Sequence, residues 1–330
     1  MAERKYLTEL ALNFFSGAVL AVHPKDIAKI DDVSQEMIDV ANLCHIYLIV
    51  THPRPRFVPG SIEVGNGRTR GKFAYVRDGI AMETDFSFKG EANADKLEVS
   101  DYPHHVLSLI RNGERFVKIP AHHASLIADR LGDPSLRDLC VVYVGMSFGD
   151  GDRSAKDRLL SHSTLQQVLA DLTAESPDSE ALVIMVEYVA PKAMISFDGH
   201  DMSLRDRPDR DAMADLQQVQ NSITEELQIR LIEAGLIRYF RPRYNDKYKQ
   251  HFPSSTQKIL DEVYRIDLQA LVVEIDTEDI KSRLFSPARE PGHHHIATFD
   301  LHDPEIRRSF FNLMNVDGGP NARTFSGPLY

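Results

Sequence analysis

Arg158 and His162 stand four residues apart in SAKDRLLSHSTLQQVL, a stretch with helical spacing. At i and i+4 both side chains project from one helix face. A guanidinium forks onto a phosphate with fixed geometry, and an imidazole moves protons near neutral pH. Together they suit a reaction in which negative charge grows on a phosphate. Just upstream, LCVVYVG ends in Tyr143-Val144-Gly145, which puts a phenol near a strand end, placed to hold a water or a phosphate oxygen. Downstream, EAGLIRYFRPRYN carries Glu233 and Asn245. A single carboxylate suits Mg2+ (or Mn2+), which keeps most of its waters and takes other ligands from the substrate phosphate. The chemistry these residues suit is metal-dependent phosphodiester hydrolysis. Each also has a plain structural use: a core tyrosine, a solvated helix pair, a surface partner for Arg230 or Arg238, a turn after Pro242. The reading rests on their order and spacing.

The elements that must position these residues are legible around them. LCVVYVG (Leu139–Gly145) and ALVIMVEYV (Ala181–Val189) are continuous apolar runs, as expected of buried strands. A helix is expected between them. From Ala212 to about Phe240 the chain reads as one long helix, with Leu216, Val219, Ile223, Leu227 and Leu231 along one stripe. Pro242 stops it, since it lacks the N–H and disfavours helical geometry at Arg241. RFVKI (Arg115–Ile119) is expected as the strand ahead of Tyr143, followed by a helix in HASLIADRLG that ends at Gly132. Nearer the start, a helix is expected around Ser34–Asn42, then an apolar run, CHIYLIV (Cys44–Val50). Short strands follow, separated by Gly-containing turns. The last eighty or so residues read as a helix (Thr256–Tyr264), a strand (Gln269–Asp276) and a histidine-led strand followed by a short helix.

Tyr143-Val144-Gly145 with Ser147, then Arg158 and His162, then Glu233 and Asn245, resembles the GIY-YIG nuclease family over residues 110–250. The resemblance implies an α/β (α+β) domain with a small antiparallel three-stranded sheet flanked by helices. It implies that Glu233 holds the metal, Arg158 stabilises transition-state charge and His162 assists proton transfer, with Tyr143 and Asn245 positioning groups around them. The family's first signature, Gly-Ile-Tyr, is not found where RFVKI is expected, and Phe116 falls near its tyrosine position. Phenylalanine accepts no proton, so His122 and His123, just past that strand, become candidates for the general base, with Tyr102 as another. The division expected is a strand-rich module over 1–108, the nuclease-like domain over 109–250 and an α+β extension over 251–330.

RYFRPRYNDKYK sets Arg238, Arg241, Arg243, Lys247 and Lys249 among Tyr239, Phe240, Tyr244 and Tyr248. Cations interleaved with aromatics suit phosphate contacts and base stacking, so DNA is the expected partner, with RNA left open. The net charge of −11 speaks against a general electrostatic binder, and any basic groove must be local. One set of site residues per chain cuts one strand, so double-strand breaks call for a homodimer. Restriction, phage defence, repair and mobile-element roles all fit. The alternative is an inactive fold of the same kind that binds nucleic acid or protein. No apolar run reaches the ~18 residues of a membrane span. Cys44 and Cys140 sit in apolar runs and read as buried free thiols of a reducing, cytoplasmic compartment. His293 and His295, on one strand face, form with His302 a second candidate metal set.

Overall fold

The computed structural model describes residues 8–32, 34–89, 96–147, 159, 163–197, 223–253, 260–265, 267–302 and 310–311. The chain runs through β1 (Thr8–Phe14), β2 (Ser16–Val22), α1 (Gln35–Leu43) and β3 (Cys44–Pro53). Next come β4 (Arg56–Phe57), β5 (Glu63–Gly65), β6 (Arg68–Arg77), β7 (Ile80–Lys89), β8 (Lys96–Val99), β9 (Val106–Arg111) and β10 (Glu114–Pro120). Then follow α2 (Ala121–Ile127), β11 (Arg130–Leu131), β12 (Asp138–Met146), α3 (Ser163–Glu175), β13 (Ser179–Tyr188), β14 (Lys192–Phe197) and α4 (Glu225–Phe240). The last elements are α5 (Asp261–Arg265), β15 (Leu268–Asp276), β16 (Arg283–Ser286), β17 (Arg289–Gly292) and β18 (His294–Asp300). The fold is α+β with several sheets.

The largest sheet has six strands in the order β17-β16-β12-β3-β13-β2. β3 lies at its centre, antiparallel to both β12 and β13. Its apolar run explains the place: successive side chains point to opposite faces, and both faces are covered. Ile46, Leu48 and Val50 enter a core shared with α4 and with the sheet β14-β1-β15-β18. Tyr47 and Ile49 enter a second core with Leu165 and Val168 of α3. α4 begins at Thr224, whose side chain accepts from Leu227 N–H, and ends at Arg241, which turns left-handed at φ 49° ahead of Pro242. Gly235 lets it approach β15: a Cβ there would meet Val273 Cγ2 at 2.9 Å. The segment expected to begin this helix, Ala212–Val219, lies outside the described residues.

Residues 54–137 depart from the central sheet between β3 and β12 and build two small sheets, β11-β7-β6-β4 with β5 on β6, and β10-β9-β8. Phe57, Phe73, Phe86 and Phe88 fill their core, and α2 seals it with Ala121 and Ala124. Three sequence expectations change here. RFVKI forms β10 at the edge of a three-stranded sheet, and β3 takes the place beside β12. The reason is burial: Arg115 to Lys118 are exposed, whereas Ile46 to Val50 are buried on both faces. The boundaries at 108 and 250 do not separate the sheets, because the central one takes β2 and β3 from the first segment, β12 and β13 from the second, and β16 and β17 from the third. The helix in HASLIADRLG stops at Ile127, and Arg130–Leu131 join β7 as a strand.

The helix expected near Ser34 is α1, with the Ser34 side chain capping Met37 N–H. Both cysteines are free thiols. Burial, followed by the charge of Glu187, pushes the Cys44 thiol up to about 12. Among the described residues no helix is long and apolar enough to cross a membrane.

Candidate functional site

β12 does not alternate evenly. It pairs Val141 with Val50 and then Tyr143 with Ile49, leaving Val142 as a bulge. A β-bulge shifts every later side chain to the other face. Val141 points into the core under α4, but Val142 and Tyr143 both pack on the opposite side, with Tyr47 and Ile49. Gly145 then lies directly across from Tyr47. The bulge therefore brings two tyrosines together as diagonal neighbours on one face, with ring centroids 6.2 Å apart. Gly145 is what lets them meet. A Cβ there would come within 2.6 Å of the Tyr47 ring and hydroxyl and 2.7 Å of Tyr143 Cε1. Tyr47 is fully buried and Tyr143 half-buried.

Asn245 holds the outer edge of this strand. β16 pairs with β12 only as far as Cys140, so the edge beyond needs other partners. The Asn245 side chain supplies both: Val144 N–H donates to its Oδ1 at 2.9 Å, and its Nδ2 donates to the Val144 carbonyl at 2.8 Å. Tyr244 N–H takes the carbonyl of the bulged Val142 at 3.0 Å. Tyr244 is anchored in turn by donating its hydroxyl to Asp171 of α3 at 2.6 Å. Burial, followed by that bond, pushes its phenol up to about 12. Asn245 thus positions the strand that carries Tyr143. Asn245→Ala strips a buried backbone N–H and C=O of their partners, at about 1–3 kcal/mol each when orphaned. The expected result is a fall in unfolding free energy of about 2–4 kcal/mol, read as a lower denaturant midpoint with an unchanged slope.

The remaining predicted residues distribute as follows. Glu233 is half-buried on α4, which packs against β12 and β3 from the face opposite the tyrosines. The Tyr248 phenol beside it is pushed up by burial and then by the Glu233 charge. Arg158 and His162 lie outside the described residues; Leu159, next to Arg158 in sequence, is buried in the same core as Tyr47. His122 and His123 do not reach the tyrosines. His122 stacks on His23 at 4.8 Å, at the end of β3 where His52 and Glu180 pair. That is five residues, ~17 Å of strand, beyond Tyr47. His123 faces outward on α2, and Phe116 and Tyr102 are exposed on the inserted module.

The basic segment is partly committed elsewhere. Arg243 lies 3.5 Å from Glu175 and over the Tyr244 ring, and Lys249 donates to the Arg243 carbonyl. Arg238 donates to the Lys249 carbonyl, and burial, then neighbouring Arg241 and Arg289, lower its pKa. Arg241 and Lys247 are exposed. Arg289, unforeseen in the sequence, therefore joins a cationic patch with Arg238 and Arg241. The C-terminal histidines do not form a metal set. His295 is buried, with Nε2 on the carbonyls of Leu284 and Gly292 and Nδ1 facing the Tyr239 hydroxyl. His293 is bonded to the Ser282 carbonyl and His302 to that of Leu268.

Sequence reasoning missed Tyr47. The signal was present: His45-Ile46-Tyr47 heads the apolar run of β3, with Ile-Tyr as in the first signature and histidine in place of glycine. The inserted module hid it by placing residues 54–137 between two strands that are neighbours in space. His45 also marks the strand end, where its carbonyl accepts from Ser147 N–H at 2.7 Å and its Nε2 lies 3.4 Å from Glu225 of α4. Comparisons with known protein families, with curated proteins and with solved structures find no match to this chain.

Proposed function

We propose that the chain is a metal-dependent endonuclease that hydrolyses phosphodiester bonds in DNA, with a GIY-YIG-like centre. One observation carries the reading: Ile46-Tyr47 and Tyr143-Val144-Gly145 lie antiparallel and adjacent, with both tyrosines on one face over Gly145. With β3 as the first strand, the chain order becomes strand, strand, helix, strand, long helix, as the resemblance implies. The half-exposed Tyr143 holds the attacking water or a phosphate oxygen, and Tyr47 fixes its ring. Arg158 forks onto the phosphate and His162 carries a proton. Glu233, a half-buried carboxylate whose negative charge is felt by Tyr248, fits a hydrated Mg2+ or Mn2+. Because α4 lies on the face opposite the tyrosines, the substrate phosphate must pass around the end of β12 to meet both Tyr143 and the ion. The bound ion offsets charge on the phosphate oxygens. Arg238, Arg241 and Arg289 supply a local anion-binding patch on an acidic protein.

Supercoiled plasmid with Mg2+ tests the proposal. Nicked product is expected from a monomer and linear product from a dimer, since one site cuts one strand. Tyr143→Phe is expected to slow single turnover by about a hundredfold or more, the scale of losing one preorganised hydrogen bond to the reacting groups. The full burial of Tyr47 favours one alternative, a fold of this kind that binds DNA without cutting it. Salt-dependent DNA binding with no cleavage under Mg2+ or Mn2+ establishes that alternative and removes the nuclease reading.

A further inference from the structure

The far end of the central sheet gathers an unusual set of side chains. Glu180 opens β13 and lies opposite His52 of β3. His23 follows directly on β2, and His122 comes from α2 of the inserted module. Ligand atoms of His23, His122 and Glu180 all lie within 4.8 Å of one another. Nε2 of His23 is 3.8 Å from Oε2 of Glu180. A tetrahedral zinc site with bonds near 2.05 Å has ligand atoms about 3.3 Å apart. The three groups are therefore within a small side-chain rotation of a coordination sphere.

A second observation points the same way. His52 is almost completely buried; the Leu136 backbone is a hydrogen-bonding neighbour, but neither ring nitrogen has a partner in good hydrogen-bond geometry. Its Nε2 lies 3.3 Å from Oε1 of Glu180, and that oxygen also lacks a well-aligned partner. Buried polar atoms left in this state are rare and call for an explanation. A carboxylate bound to a metal through one oxygen has its other oxygen held by a neighbouring donor, and His52 is placed to be that donor.

We propose that His23, His122 and Glu180 bind one divalent transition-metal ion of the zinc type, with His52 orienting the carboxylate, and that this ion pins the inserted module to the central sheet. The electrostatics agree. Burial is the largest cause holding His23 and His52 down at about 4 and His122 at about 3. Burial pushes Glu180 up to about 7, against the pull of Arg54, whose Nε lies 4.0 Å from its Oε2, and of Lys25. Protonating both stacked histidines places two cations 4.8 Å apart in the interior. One shared ion supplies the charge without that repulsion. Coordination through Nε2 of His23 moves its proton to Nδ1, which displaces the 3.2 Å contact from Lys25 N–H. The site stands at the opposite end of β3 from the tyrosines, so it is distinct from the carboxylate proposed to hold Mg2+.

The test uses the full chain. Zinc content is measured by mass spectrometry after exhaustive dialysis. Affinity comes from competition with a chromophoric chelator, and geometry from the visible spectrum of the Co2+ form. The wild type is expected to hold one zinc per chain and to give a tetrahedral Co2+ spectrum. Glu180→Gln and His122→Gln, near-isosteric changes checked for folding by circular dichroism, are expected to weaken zinc binding by about a hundredfold or more. Glu233→Gln is expected to keep the full equivalent, which separates this site from the nuclease reading. Zinc is also expected to slow proteolysis at the junctions near residues 54 and 137, in the wild type but not in Glu180→Gln. Sub-stoichiometric zinc in the wild type, or unchanged affinity in folded Glu180→Gln and His122→Gln, overturns the proposal.

Discussion

Glu233→Gln is expected to lower the Mg2+-dependent single-turnover rate on DNA by about a thousandfold or more, with the fold unchanged. The size follows from the role. Losing one preorganised electrostatic contact to transition-state charge costs about a hundred- to a thousandfold, and a carboxylate that holds the ion takes the ion's whole contribution with it. The fold is spared because Gln keeps the shape of Glu at this half-buried position, in one stripe with Glu226 and Arg230, while Leu231, Ile232, Leu236 and Ile237 carry the packing. Glu226 pairs with Arg230 and serves as the control: Glu226→Gln removes a carboxylate from the same stripe and is expected to leave the rate unchanged. The measurement is a single-turnover time course on labelled duplex across a Mg2+ series. Full activity in folded Glu233→Gln assigns the metal elsewhere.

Gly145→Ala is expected to slow cleavage by about a hundredfold and to lower stability together. The added methyl has nowhere to go. It meets the Tyr47 ring at 2.6 Å and the Tyr143 ring at 2.7 Å, and Tyr47 cannot retreat because it is fully buried among Ile49, Val183 and Met185. Overpacking of this kind costs about 1–3 kcal/mol. The relaxation open to the site is to push out the half-exposed Tyr143, which is the ring expected to face substrate. A misplacement of about 1 Å at a reacting group costs roughly a hundredfold in rate. Thermal unfolding and the plasmid assay read the two effects. A Gly145→Ala protein with wild-type melting and wild-type nicking contradicts the packing argument and the role given to Tyr143.

The strands around Tyr143 were legible because their physics is local. Leu139–Gly145 and Ala181–Val189 are apolar runs covered on both faces, and they read as buried strands without further information. The end of α4 was equally plain, since Pro242 forbids its continuation. What sequence did not disclose was adjacency. RFVKI and CHIYLIV are both credible strands, and nearness along the chain favoured the first. The sheet chose the second because Ile46, Leu48 and Val50 can be buried on one face while Tyr47 and Ile49 are buried on the other, whereas Arg115 and Lys118 cannot be buried at all. The bulge at Val142 was invisible for a related reason. It depends on Tyr244 and Asn245, a hundred residues downstream, taking the edge of β12. Asn245 was found by its place in RPRYN, but its work on the Val144 peptide could be seen only in three dimensions. The His23, His122 and Glu180 group was out of reach of any spacing argument, because its members come from three segments that meet only when the sheet has formed.

Seen from the central sheet, the inserted module is a hairpin loop. The chain leaves β3 at Pro53 and re-enters β12 at Asp138, on neighbouring antiparallel strands. For a flexible chain the entropy of closing such a loop grows only with the logarithm of its length. Lengthening a tight turn to this span spans a little over four doublings, or about 2.7 kcal/mol. A loop with its own core, around Phe57, Phe73 and Phe86, holds its two ends close and removes most of that penalty. The β3–β12 pairing that sets the two tyrosines side by side therefore carries a module of this length between its strands at little thermodynamic expense.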